Sequence, residues 1–273
     1  MQRVFHYEGR PGMVKLARPG QAGLHRLEFG LLRVPRDEMF RFRLEGREAV
    51  LVILSGACMI EVDGKGWPLE RVSVFAEPAM ALYVPRHLQY IVTASRPTDL
   101  AVLEAEATRD FLPRLVTRDQ IKVDVEGREQ DRRRVHTIVG EEFPNSRLLV
   151  GETFVEPGCW ASYPPHKHDE DNYPYEVRLE QISYFQIDPP QGFALQYLYS
   201  QDHSLDQVYA VHNDDVFVSA RGYHPIAVAP GYSLYYLWGM AGDGHVIRQS
   251  VDPAHAWVEK EEAGAPQPVP VSG

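Results

Sequence analysis

The sequence predicts an all-β protein with two jelly-roll β-barrels in one chain. Three observations predict it. Gly and Pro number 21 each in 273 residues, so apolar runs are short and repeatedly cut by turn residues. Those runs fall into two similar sets, one in each half of the chain. The length suits two fused small domains, with 44% hydrophobic residues to fill their cores.

In the first set, a mixed, Gly-rich segment precedes a strand from Leu24 to Val34. The run Glu48 to Gly56 ends in a turn, Ala57 to Val62 resumes the strand, and Asp63-Gly64 is a hairpin signal. Val72 to Phe75, Ala81 to Val84, Tyr90 to Thr93 and Leu100 to Ala105 complete the set. Thr108 to Val116 reads as a short helix with Asp110 early and Leu112 and Leu115 on one side, limited by Pro113. The expected domains are therefore 1–116, a charged linker at 117–134, a second barrel at 135–260 and a disordered tail at 261–273.

The second set begins near Val135. Its strands are Leu148 to Phe154, Gln181 to Gln186, Ala194 to Tyr199, Asp206 to Val211, Val216 to Val218, Ile226 to Ala229 and Leu234 to Trp238. Glu48 to Leu54 can be laid over Glu180 to Gln186, and Leu82 to His87 over Val216 to His224 with a gap.

Composition excludes some functions. A formal charge of −10 and a pI near 5.6 argue against nucleic acid. The Arg-dense stretch Arg128 to Arg134 is interrupted by Glu129 and Asp131 and reads as solvated linker. No run reaches the roughly 20 apolar residues of a membrane span, and Met1 to Gly9 lacks the apolar core of a signal peptide. The expected location is the cytoplasm. Cys58 and Cys159 read as two separate thiols.

The chemistry concentrates in Tyr163-Pro-Pro-His-Lys-His-Asp-Glu-Asp-Asn-Tyr-Pro-Tyr-Glu176. His166 and His168 are two apart, so on a strand they share a face and can chelate a divalent metal. A carboxylate follows at Glu176 or Glu180, and His224 stands two residues beyond Gly222. Three imidazoles and one carboxylate suit one divalent transition metal, whether Fe, Mn, Co, Ni or Zn. The first half has no such pair. Arg41-Phe-Arg43 occupies the comparable region, and two cations cannot chelate a metal.

These segments resemble the 5-deoxy-glucuronate isomerase family. The resemblance runs through Tyr163 to Glu170, Asn172 to Val177, Asp188 to Phe193, Arg221 to Pro225, Ala229 to Tyr232, Leu234 to Leu237 and Asp252 to Trp257, and covers most of residues 135–260. It implies a bicupin with its metal in the second barrel, and conversion of 5-deoxy-glucuronate to 5-dehydro-2-deoxy-gluconate. The usual cupin carboxylate comes a few residues after the second His; here eleven residues separate His168 from Glu180 (from 169 to 179). Glu180 is preferred as the ligand because it heads the strand and aligns with Glu48. Residues 169–179 then form a loop at the barrel mouth.

An aldose–ketose isomerisation needs an electrophile, a proton carrier if a proton rather than a hydride moves, and a cation for the sugar acid. The metal set His166, His168, Glu180 and His224 supplies the first. Glu176 is the candidate base. Tyr173, Tyr184 and Tyr235 are candidate proton donors or hydrogen-bonders, with packing as the plainer role for each. Arg178, Arg221 and Lys167 are candidates for the substrate carboxylate. Lys167 ranks last because it points away from its flanking ligands. A small sugar acid is the expected partner, with no nucleic acid, no membrane and a possible homo-oligomer. A metal-dependent dioxygenase and a non-catalytic sugar-binding cupin are the alternatives, separable by oxygen consumption and by the effect of His166→Ala.

Overall fold

The computed structural model describes residues 1–258, and over them the chain is all-β with two short 3₁₀ turns and four sheets. The expected tail at 261–273 lies outside the described residues. Among the described residues no helix is long and apolar enough to cross a membrane.

An eight-stranded antiparallel sheet fills the first half. Its two long strands, Arg47–Val62 and Gln89–Glu106, pair over most of their length. The Asp63-Gly64 turn joins Arg47–Val62 to Lys65–Arg71, as expected of that dipeptide. In the second half, a seven-stranded sheet runs in the order Val4–His6, Asp215–Ser219, Leu179–Asp188, Ser233–Gly242, Leu149–Val155, Arg133–Val139, Lys122–Glu126. A four-stranded sheet carries Trp160–Ala161, Ile226–Val228, Phe193–Tyr199 and Asp206–His212, and His166–Lys167 pairs with Ser250–Val251. These are open sheets, so the expectation of two closed barrels is not met as stated.

Four further expectations are corrected. Thr108 to Val116 is no helix; it ends in the strand Arg114–Val116, paired to Ala81–Val84. Val72 to Phe75 forms no strand, and both residues are exposed. The linker at 117–134 is largely built into the second half: Lys122–Glu126 pairs with Arg133–Val139, which pairs with Leu149–Val155. The backbone partners at this sheet edge outweigh the charged composition. The N-terminal strand Val4–His6 also joins the second half, through Asp215–Ser219, so the first domain does not begin at residue 1.

Alternation explains where the cores lie. Along Leu179–Asp188, Leu179, Phe185 and Ile187 enter a core inside the second half, while Ile182 and Tyr184 enter a core shared by both halves. The same split divides Ser233–Gly242: Tyr236, Trp238 and Met240 point inward, Tyr235 and Leu237 toward the first half. Phe29 stacks on Tyr184 across the seam at 5.7 Å between ring centroids. Gly239 lets the halves approach, since a Cβ there would fall 1.9 Å from Leu103 Cδ2. Arg71 and Glu152 form a fully buried pair across this seam. Both cysteines are free thiols.

Candidate metal centre and cavity

His166, His168 and His224 gather on one wall of the second half. The His224 ring lies edge-on to His166 and to His168, with centroids 5.1 Å apart in each case. His166 sits on the short strand His166–Lys167, and His168 follows it on the same face. His224 follows Gly222, whose φ of +87° and close approach to Tyr199 O (2.7 Å from an ideal Cβ) both demand glycine. Asp169 ties the two segments together by accepting the Gly222 N–H at 2.7 Å. Burial alone would raise the Asp169 pKa, but Lys167 and that N–H outweigh it and hold the carboxyl below its usual range.

The ring protons are assigned by their partners. Nδ1 of His166, His168 and His224 lies 3.3, 2.8 and 3.0 Å from the carbonyl oxygens of Pro164, Leu179 and Gly222. A carbonyl only accepts, so each Nδ1 carries hydrogen and each neutral ring keeps its lone pair on Nε2. Burial and the neighbouring imidazoles push His166 well below its ordinary pKa; burial and His168 take His224 down to about 3. The buried Nε2 of His224 has no hydrogen-bond partner among the described residues. His168 Nε2 lies 3.0 Å from the side-chain amide of Gln181. This pattern of Nδ1–H bound to carbonyl and Nε2 free is the one metal-ligating histidines adopt. Among the described residues, no group of three or more His, Cys, Asp or Glu side chains is set at ion-holding geometry. The three imidazoles are gathered, and burial holds His166 and His224 in the neutral form a divalent cation requires.

Glu180 is not part of it. Its carboxylate accepts the backbone N–H groups of His25, Arg26 and Leu27 in the first half, at 2.7, 2.9 and 3.0 Å. One step along the strand reverses the face, and Gln181 takes the place expected of Glu180. Glu176 is buried and fully engaged: it accepts Lys167 Nζ at 3.0 Å and the N–H groups of Asp169 and Glu170 at 2.7 and 2.9 Å. It clamps the loop after His168 and is not placed as a base. Lys167 is consumed in the same cluster, pointing away from the imidazoles as its strand position requires. Tyr184 donates to Asp214 at 2.5 Å and Tyr235 to Glu152 at 2.7 Å, both in the seam between halves. Tyr173, 74% exposed, Arg178, which pairs with Asp171, and Arg221 lie on the outside. None of these residues lines the cavity beside the imidazoles.

That cavity, of about 330 Å³, is lined by other polar residues: His166 and Gln181 with Asp124, Glu126, Arg133 and Tyr236. Strand register orders them. Gln181 pairs with Met240 in one row; Tyr236, Thr153, Val135 and Asp124 make the second row along from it; Leu234, Val155, Arg133 and Glu126 make the next beyond. Arg133 is largely buried and its guanidinium lies 2.9 Å from Glu126. Burial raises the Tyr236 phenol, against a smaller opposing pull from the neighbouring Thr153 and Ser162 hydroxyls. Asp124, Glu126 and Arg133 fall in the stretch read as linker, and Tyr236 is the neighbour of the tyrosine chosen. Only the alternation Asp124, Glu126 on one strand was available to find them.

The sequence matches the KduI/IolB family over residues 3–258. It is 36% identical over 265 residues to the 5-deoxy-glucuronate isomerase of Geobacillus kaustophilus, a match covering 96% of each chain. The crystal structure of an IolB-like protein from Salmonella typhimurium superposes with a TM-score of 0.92 at 32% identity, covering 95% of this chain and 100% of that one. The oxalate decarboxylase of Lactobacillus farciminis shares the fold alone, with a TM-score of 0.65 at 11% identity over 97% of this chain and 91% of that one.

Proposed function

The chain belongs to the KduI/IolB family, and from that membership we propose that it is an isomerase converting 5-deoxy-D-glucuronate to 5-dehydro-2-deoxy-D-gluconate in myo-inositol breakdown. We read the fold as a bicupin: each half is one jelly-roll unit, and only the second carries the metal. The observation that carries the reading is the set of three imidazoles with Nδ1 tied to carbonyls beside the cavity, the buried Nε2 of His224 having no partner among the described residues. His166, His168 and His224 are the residues that would hold one divalent transition metal (Zn, Fe, Mn, Co or Ni). Such an ion supplies a Lewis acid for the sugar's carbonyl and hydroxyl oxygens.

The chain's own residues do the rest. Arg133, from the far row of the cavity, grips the substrate carboxylate in competition with Glu126. With that end fixed, the aldehyde end reaches back toward His166. Asp124 stands in the row between and is the carboxylate that takes the proton from the carbon beside the aldehyde and returns it to the aldehyde carbon. Tyr236, in the same row, hydrogen-bonds the oxygen on which charge develops. Trp238, Met240 and Ile247 supply apolar lining of the cavity and restrict water there. The substrate and product are isomers, so no oxidant or reductant enters.

The test is turnover of 5-deoxy-glucuronate by purified protein of measured metal content, followed by NMR in deuterated water. Conversion with deuterium at the former aldehyde carbon is the expected result. Absence of turnover with every divalent metal supplied removes the assignment.

A further inference from the structure

We propose that Gln181 supplies the fourth donor to the three imidazoles, so that the centre is built from neutral ligands only and binds small monoanions, carboxylates among them. This rests on the metal reading above and concerns the side chain that completes it.

Three observations place the amide oxygen there. Gln181 Oε1 is the polar atom facing His168 Nε2, at 3.0 Å, and the proton of that ring is already given to Leu179 O. In the metal-free protein the amide can turn its NH₂ to that nitrogen and accept from the Ser183 hydroxyl; with a cation beside Nε2 the oxygen faces it instead. The other end of the amide is anchored: Gln181 Nε2 donates to Ser183 Oγ at 3.2 Å, which turns the oxygen toward the rings. The side chain is also buried and lines the cavity with His166. The carboxylate one residue earlier cannot substitute, because Glu180 points through the sheet to three N–H groups of the first half.

The consequence is electrostatic. Three neutral imidazoles and a neutral amide leave the full double charge of a divalent ion unbalanced within a shielded site. A carboxylate in place of the amide would cancel one unit. At close range and reduced dielectric that unit changes the attraction for an incoming anion substantially. The neutral set therefore holds the ion less tightly and draws anionic ligands more strongly. In a chain of formal charge −10, this is a local device for admitting an acidic sugar against the long-range field.

The experiment uses full-length protein stripped with a chelator, with Co²⁺ as the metal and azide as the anion, both followed by visible absorption. The wild type is expected to bind one Co²⁺ and to shift its spectrum on adding azide. Gln181→Glu is expected to bind Co²⁺ at least tenfold more tightly and azide at least tenfold more weakly; Gln181→Leu is expected to loosen Co²⁺. If His224→Ala abolishes cobalt binding while both Gln181 variants keep wild-type affinities and spectra, Gln181 is no donor and this proposal falls with the metal site intact. If the folded wild type takes up no cobalt, the metal reading itself fails.

Discussion

Glu48 and Glu180 are reciprocal clamps between the two halves of the chain. Glu48 accepts the N–H groups of Ser146, Arg147 and Leu148 at 2.7, 2.6 and 3.0 Å, and Glu180 those of His25, Arg26 and Leu27. Each acid lies at the start of a central strand of its own half, and each grips the loop that leads into a strand of the other. The sequence overlay of Glu48 on Glu180 is thus real as structure, and its meaning is assembly rather than ligation. A buried carboxylate with three N–H donors is stable there; its amide isostere presents an NH₂ to some of those donors.

Glu180→Gln should therefore lower stability by about 1.5–3 kcal/mol, the range for a charged hydrogen-bonded group, and Glu48→Gln by a similar amount. Neither should reduce the metal bound per folded chain. Urea unfolding and metal analysis check both; loss of metal without loss of stability in Glu180→Gln would restore it as a ligand.

The Arg71–Glu152 pair crosses the same seam with both side chains fully buried and contacts of 2.6 and 3.1 Å. Arg71 also donates to the carbonyls of Ile53, Val74 and Glu77, and Tyr235 donates to Glu152. Removing one partner strands the other charge away from water. Arg71→Met should cost about 3–5 kcal/mol, and Tyr235→Phe about 1–2 kcal/mol through one lost hydrogen bond to a charged group. Denaturant midpoints distinguish the two.

What was legible in the sequence follows from periodicity. His166 and His168 announce a shared face by their spacing, and His224 by its place after Gly222. The strand Leu179–Asp188 gives no such signal, because it is buried on both faces and shows no apolar–polar alternation. Choosing Glu180 over Gln181, or Tyr235 over Tyr236, is then a one-residue error of register that turns the side chain through the sheet. Arg133 and Asp124 were hidden for another reason: a charged strand at a sheet edge has the composition of a linker, and only its pairing with Arg133–Val139 shows otherwise. The reciprocal clamps were beyond reach, since their partners are backbone N–H groups about 100 and 150 residues away.

Acid should unfold the metal-free protein early. His166 and His224 are neutral when folded, with His224 down to about 3 through burial and its neighbour His168. The unfolded chain takes up these protons below about 6.5, so their contribution to stability is complete above that value and is lost as pH falls toward the folded pKa. The expected loss is about 2 kcal/mol per imidazole between pH 6.5 and pH 5. Chemical denaturation at several pH values measures it; in His224→Gln the slope should fall by about one proton, and an unchanged slope would contradict the burial argument.

Glu176→Gln separates a clamp from a base. The wild-type carboxylate holds Lys167 and two N–H groups of the loop beside His168. Its amide should loosen that loop, weaken metal retention severalfold and reduce stability by about 1–3 kcal/mol. With metal in excess, turnover should recover to within about tenfold, and the pH profile should keep its acid limb. A loss of 10²–10⁴-fold that metal does not restore is the signature of a general base and would return Glu176 to that role.

Arg133 is the residue whose loss should discriminate most sharply among readings of the cavity. It is the one arginine lining the cavity among the described residues, it is largely buried, and Glu126 at 2.9 Å is its nearest acid, with Asp131 next at 4.0 Å. A bidentate guanidinium–carboxylate contact contributes about 1.5–3 kcal/mol, or roughly 10–150-fold in binding. Arg133→Ala should raise KM for 5-deoxy-glucuronate by that factor, with a smaller fall in kcat because the anchored carboxylate also aligns the aldehyde end. Arg133→Lys should recover little, since an ammonium cannot reproduce the planar fork. The companion variant Glu126→Gln should lower KM by removing the competing carboxylate. If Arg133→Ala leaves KM unchanged while the protein stays folded, the substrate carboxylate is held elsewhere and the order of groups along the cavity must be reversed.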